Sequence, residues 1–303
     1  MTKYAWLSIG TAVLTLGIKL IAYLATDSVG LLSDALEGIV NLAAALVVLV
    51  TLKVVEQPPD ELHQYGHDKA EYFSSGIEGT LILVAALAIL YTSIQRLLDP
   101  QPLEQVGLGL MLAVGASSIN LLVGQLLIRR GKQFESITLE ADGRHLMSDV
   151  WTSVGVVGGV AVAGITGLVW LDPIVAMIVG LKIGYEGIKI FQRSSLGLMD
   201  TAIDPKERAI VEAVLDSHCK EGIEWHALRT RQSGARRFVS VHILVPGAWT
   251  VQAGHDLAED VEADIKRQIN NCSVFTHIEP LEDPRALGDQ NLGALQARSE
   301  GEL

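Results

Sequence analysis

The sequence predicts an α-helical membrane protein, with six transmembrane helices in residues 1–195 and a C-terminal α+β ferredoxin-like cytoplasmic domain in residues 200–283. Three observations carry this. The first stretch is dominated by Leu, Val, Ala, Gly and Ile, in runs long enough to cross a bilayer. Only 19% of the 303 residues are charged and the mean hydropathy is +0.35, whereas a soluble core of this size needs more charge around it. Beyond residue 200 the composition becomes that of an ordinary soluble domain.

A hydrocarbon core of about 30 Å takes about 20 apolar residues per helix. Six such runs can be read: Tyr4–Ala25, Ser33–Val54, Gly76–Leu98, Val106–Ile128, Ala141–Gly164 and Val169–Ile190. They must be helices, because lipid offers no partner to an open backbone. The first run is too long for a signal peptide, Lys19 interrupts it, and no small-residue cleavage site follows.

An even number of spans puts both termini on one side. Lys3, Lys53, Lys69, Arg129, Arg130, Lys132, Lys189 and Arg193 lie on that side, and mainly Arg96 on the other. The excess of positive charge predicts cytoplasmic termini in a bacterial inner membrane. A formal charge of -12, with no basic stripe, argues against nucleic-acid binding. The absence of a GxxxxGK[ST] motif disfavours an ATP-driven device. Cys219 and Cys272 are too far apart for a CxxC site and read as reduced, packed thiols.

In the soluble part, residues 205–219 read as a helix with Pro205 in its first turn. Glu224–Arg231 and Arg236–Val245 read as strands around the turn-like Gln232-Ser233-Gly234-Ala235. Gln252–Ile269 is helical, with Leu257, Val261 and Ile265 spaced at four, and Ser273–Ile278 is a short strand. The order α-β-β-α-β fits a sheet with helices on one face. Residues 284–303 lack periodicity and are expected to form a disordered tail.

Ionisable residues at membrane depth cost at least about 2.5–3.5 kcal/mol each and are functional hypotheses by default. The fifth run carries Glu140, Asp142, His145 and Asp149; the last two, at i and i+4, share a helix face. The second carries Asp34, Glu37 and Asn41 at i, i+3 and i+7, again on one face. Two such stripes facing each other can close around one cation, and their nitrogen and oxygen donors suit zinc, iron(II), cobalt or manganese. Pairing among themselves near the surface is the plainer alternative for Asp34 and Asp142. Lys19 reads as a counter-charge to a carboxylate, not a ligand. After Pro58 and Pro59, Asp60, His63 and His67 place a carboxylate and two imidazoles within eight positions. On a strand, His277 and Glu279 point the same way.

These motifs together resemble the cation diffusion facilitator family of metal/proton antiporters, particularly bacterial zinc and ferrous-iron effluxers. The likeness spans residues 1 to about 283. It rests on Ser33-Asp34-Ala35-Leu36, Tyr65-Gly66-His67-Asp68-Lys69-Ala70-Glu71, Ala141-Asp142-Gly143-Arg144-His145-Leu146-Met147-Ser148-Asp149 and His226-Ala227-Leu228-Arg229-Thr230-Arg231-Gln232-Ser233-Gly234. The resemblance implies a homodimer with alternating access that exchanges divalent metal (Zn2+, Fe2+ or similar) for protons, in contact with membrane lipid and without a prosthetic group.

It implies a transport site of Glu37, Asn41, His145 and Asp149. Here the chain departs from the family, which usually has His or Asp, then Asp, at the first two positions. It further implies a loop site at Asp60, His63 and His67, and a cytoplasmic cluster of His226, His242, His255, His277 and Glu279. Lys69 and Asp200 match an inter-subunit charge interlock. A neutral Asn41 leaves open a membrane-anchored metal sensor or scaffold that moves nothing. A membrane hydrolase using the His/Asp pairs lacks a nucleophile, so no enzyme is expected.

Overall fold

The computed structural model describes residues 2–133, 137–220 and 222–289. Six long helices come first: α1 (Thr2–Thr26), α2 (Val29–Val55), α3 (Ala70–Leu98), α4 (Val106–Gln133), α5 (Ile137–Thr166) and α6 (Leu171–Leu198). Five of them, α1 to α5, are long and apolar enough to cross a membrane. Helix α6 is as long, but Asp172, Lys182, Glu186, Lys189 and Arg193 punctuate it. The chain divides into two compact units, the first being residues 1–53 with 73–193 and the second residues 54–72 with 194–303.

The first unit is built inside out relative to a soluble protein. Large apolar side chains such as Leu24, Val50, Leu87, Met111, Leu122 and Ile178 are exposed on its outside. Its interior is packed by small and branched residues, including Ala22, Leu31, Ile89, Ala113, Val156 and Val160. Contiguous apolar exterior of this extent is suited to lipid rather than water.

Two local features place the functional helices. Helix α2 starts at Val29, four residues before the apolar run suggests, because it has an external cap. Buried Asp172, from α6, accepts hydrogen bonds from the Ser28 hydroxyl at 2.6 Å and the amides of Val29 and Gly30 at 2.8 and 3.1 Å. A helix leaves its first N–H groups without partners, and a carboxylate satisfies both their hydrogen bonds and the positive end of the dipole. Helices α4 and α5 cross where Gly124 meets Gly143. A Cβ on Gly143 would stand 2.7 Å from the Gly124 carbonyl oxygen, so only glycine lets the backbones approach this closely. His145 is two residues further on.

In the second unit, α7 (Pro205–His218), β1 (Glu224–Ser233), β2 (Arg236–Val245), α8 (Val251–Gln268) and β3 (Cys272–Pro280) follow in the expected order. Asp204 caps α7 and Thr250 caps α8 through their side-chain oxygens. The sheet order is β1-β2-β3, with β1 antiparallel and β3 parallel to β2. The parallel pair is joined by α8 as its crossover. Among the described residues no strand precedes α7, so the sheet is smaller than a β-α-β-β-α-β ferredoxin-like unit.

Val239, Val241, Ile243 and Val245 alternate along β2 and pack with Val211, Leu215, Val261 and Ile265 of the two helices, forming one core on one face. Pro284–Asp289 is a 3-10 helix rather than the start of a disordered tail; residues 290–303 lie outside the described residues. Cys219 and Cys272 are free and half-buried, and burial pushes both thiols up.

The loop after α2 belongs to this second unit. Tyr72 accepts a hydrogen bond from the Gly234 amide at 3.0 Å, at the β1–β2 turn where Gly234 has φ +54°. Asp68 pairs with Arg236 at 3.0 Å. Lys69 pairs with Asp200 at 2.9 Å, and Arg231 approaches the same carboxylate at 3.3 Å. Lys69 and Asp200 are thus partners within one chain, where the resemblance implies an interlock between subunits. The hydrogen bond from Lys69 holds the Asp200 carboxyl below the ordinary range. That pairing contributes above the ordinary carboxylate range and is lost only as pH falls through the lowered value.

Candidate metal centres

Three groups of donor residues emerge. The first lies in the helical unit, around a cavity of about 160 Å³ lined by Glu37, Asn41, His145 and Asp149. Helix α2 presents Glu37 and Asn41 one turn apart, and α5 presents His145 and Asp149 in the same way. The Asn41 amide donates to Asp149 Oδ2 at 3.4 Å, and His145 Nε2 is 3.9 Å from the same oxygen. Glu37 Oε2 is buried with no hydrogen-bond partner. The four sequence-derived residues therefore line one cavity, without being drawn to ligating distance of a common point. Glu78 of α3 and Glu186 of α6 line it too. Neither was singled out from the sequence, where each shares its helix with one other carboxylate, Glu71 and Asp172, but has no carboxylate or histidine one turn away.

Asp34 stands apart from the four. It is buried and takes the Lys19 ammonium at 2.7 Å and the Ser153 hydroxyl at 2.7 Å, both on Oδ1. Lys19 is thus a counter-charge to a carboxylate. The side chains of Glu140 and Asp142 lie outside the described residues.

The second group is Asp60, His63 and His67, whose donor atoms all lie within 4.8 Å of one another. His63 Nδ1 and His67 Nε2 are 3.1 and 3.3 Å from the two Asp60 oxygens. The amide of His63 donates to Asp60 at 2.6 Å and that of Leu62 at 2.9 Å. The His63 amide above all, with that residue's ring and the Leu62 amide, holds the Asp60 carboxyl below its ordinary range. It is therefore an anion ready to ligate. His67 Nδ1 is buried without a partner.

The third group crosses the sheet. Strand register sets His226 opposite His242, and His242 opposite His277, so three imidazoles form one rung. Their ring centroids are 5.1 and 5.0 Å apart. Glu279, two residues after His277, turns its carboxylate onto the rung: Oε2 is 2.8 Å from His226 Nε2 and 3.3 Å from His242 Nδ1, and Oε1 is 3.6 Å from His277 Nε2. His226, His242 and Glu279 have donor atoms within 4.8 Å of one another. Nδ1 of His226 is buried without a hydrogen bond, and Nδ1 of His242 faces the Glu279 carboxylate, an arrangement that suits a cation bound by neutral imidazoles. His255 is not on this rung. It is exposed on α8 and lines a surface cavity with Trp249, Glu259, Glu262 and Glu279, the last of which also serves the rung.

The chain is similar to known proteins along most of its length. A family model described as the cation efflux transmembrane domain matches residues 5–199, and one described as the cytoplasmic domain of cation efflux proteins matches residues 203–281. An uncharacterized transporter of Synechocystis sp. is 49% identical over 283 residues, 93% of this chain and 91% of that protein. The cation-efflux pump FieF of Klebsiella pneumoniae is 31% identical over 271 residues, 87% of each chain. The solved metal-bound C-terminal domain of the CzcD transporter from Thermotoga maritima is 23% identical, covering 27% of this chain and 99% of that one, at a TM-score of 0.24. The chain belongs to the cation diffusion facilitator family and is a membrane-embedded cation-efflux transporter rather than an enzyme.

Proposed function

We propose that this protein exports a divalent transition metal, zinc or iron(II) foremost, in exchange for protons. It works as a homodimer in the bacterial inner membrane with both termini in the cytoplasm. The cavity lined by Glu37, Asn41, His145 and Asp149 is the observation that carries this reading. Coordination requires a neutral imidazole and ionised carboxylates, so cation entry displaces protons from these groups. On the far side of the membrane, protonation of the same groups weakens the site and releases the cation. His145 is half-exposed to the cavity, where it can exchange protons with water.

Helix α6 serves as the sixth span. Its exposed Ile178, Leu181, Tyr185, Ile188 and Phe191 offer lipid an apolar face despite its charges. Cysteines placed near Lys132 and near Pro102 should be labelled from opposite sides of the membrane, and near Lys132 only from the cytoplasm. Labelling of both from one side would remove the six-span arrangement. The donors at Asp60, His63 and His67, and at His226, His242, His277 and Glu279, are read as further metal sites. Lys69 and Asp200 tie the loop of the first of these to the chain after α6.

The functional test is flux in liposomes loaded with a metal-sensitive dye, over zinc, iron(II), manganese, cobalt and cadmium. An imposed pH gradient should drive uptake, and a protonophore should stop it. Uptake indifferent to the gradient would exclude antiport. The alternative, a metal sensor or scaffold without transport, draws on the cluster of His226, His242 and Glu279 being formed within one chain; it predicts metal binding with no flux.

A further inference from the structure

We propose that Lys19 and Asp34 are a specificity-determining pair: the ammonium holds Asp34 out of the ligand set and keeps the cavity's charge matched to a divalent ion. The idea rests on the transport site proposed above and assigns two residues outside it. The pair is almost completely enclosed, with 4% of the Lys19 side chain and 1% of the Asp34 side chain exposed. Both of its donors, Lys19 Nζ and Ser153 Oγ, converge on Oδ1 at 2.7 Å. The other oxygen, Oδ2, is buried with no partner. Asp34 lies one turn before Glu37 on α2, and Ser153 one turn after Asp149 on α5. The pair therefore bridges α1, α2 and α5 directly beside the cavity.

Charge explains why such a pair is needed. Once ionised to coordinate, Glu37 and Asp149 supply two negative charges to the proposed ligand set and Asn41 supplies none, so a divalent cation neutralises them; of the other carboxylates in the lining, Glu186 has Lys182 at 3.9 Å and Glu78 stands outside the four. A free Asp34 carboxylate would add a third, with its unpartnered Oδ2 available to swing onto the cation. Buried like charges this close repel strongly, and a site of three carboxylates would bind the empty-state counter-ions or retain the metal. Lys19 cancels the third charge permanently. His145, Glu78 and Glu186 also line the cavity, while Lys182 has its own partners in Thr152 at 3.4 Å and Glu186 at 3.9 Å. Lys19 is thus a positioning residue, acting through Asp34 rather than on the cation.

The test is zinc flux in liposomes by the full-length protein, read separately as KM and kcat, for Lys19→Met, Asp34→Asn and the double variant. Asp34→Asn leaves a bare ammonium beside the site, and KM should rise about tenfold or more. Lys19→Met releases a carboxylate, so KM should fall while kcat falls with it, because release becomes slower. The double variant restores the balance, and both constants should return to within about threefold of the unmodified protein. A structural role alone would lower kcat in all three without moving KM in opposite directions. The proposal is overturned if both single variants shift KM the same way. It is equally overturned if the double variant is as impaired as Asp34→Asn, which would make Asp34 itself a ligand. Should Lys19→Met fail to fold, the contrast between Asp34→Asn and the double variant still decides. Asp149→Ala separates the two levels of inference. If it transports normally, the site is misplaced and this pair falls with it. If it is inactive while the double variant is not rescued, only the pair is lost.

Discussion

Replacing Asp149 by alanine is expected to abolish metal flux, while Asn41→Ala lowers it by no more than about tenfold. Asp149 is buried, brings a full negative charge when ionised to coordinate, and is the residue that both Asn41 and His145 approach, at 3.4 and 3.9 Å. Removing a charged ligand from a water-poor site leaves a divalent ion poorly compensated, a loss of about 3–5 kcal/mol by analogy with breaking a buried ion pair. At about 1.4 kcal/mol per tenfold, that is more than a hundredfold in rate or affinity. Asn41 offers at most a neutral carbonyl, worth about 0.5–1.5 kcal/mol as an uncharged interaction. The measurement is stopped-flow influx into dye-loaded liposomes at matched incorporation. Normal flux by Asp149→Ala together with loss in Glu78→Ala would move the site toward the rim of the cavity.

The second large effect is expected at Glu279. One carboxylate contacts all three imidazoles of the sheet rung, so Glu279→Ala removes the only negative charge among them in the described cluster. Metal affinity of that cluster should fall by about a hundredfold. Calorimetry reads it on full-length protein in which Asp149→Ala and His67→Ala silence the other two candidate sites. His255→Ala in the same background should leave the single-chain cluster unaffected, since His255 makes none of the contacts between Glu279 and the three imidazoles. Equal losses from Glu279→Ala and His255→Ala would mean that the metal sits elsewhere than on the rung.

Much of this was legible in the sequence, for physical reasons that also mark its limits. Apolar runs of span length and the i, i+4 spacing of His145 and Asp149 are local properties: five of the six runs fall on helices apolar enough to cross a membrane, and the two residues stand one turn apart on α5. The order α-β-β-α-β was local too, and alternation along β2 fixed which face is core. What was missed depends on partners far apart in the chain. Asp172 beside Pro173 looks like an ordinary helix start, yet it caps α2, 143 residues away by its contact with Val29. Glu78 and Glu186 come to the cavity only because α3 and α6 pack around it. His255 stands on α8, off the rung within one chain, a placement that composition cannot give. Asp34 looked terminal because the apolar run begins near Ser33, whereas the helix begins at Val29.

The cap on α2 has a mechanical consequence. Held by Asp172 at Val29, the helix resembles a rod fixed at one end. At about 1.5 Å per residue, Glu37 lies about 12 Å from that fulcrum and Lys53 about 36 Å. A rigid swing that moves the Glu37 carbon by 1 Å therefore sweeps the far end through about 3 Å. Ångström-scale tightening around an ion is multiplied threefold along the same helix, with no other moving part required.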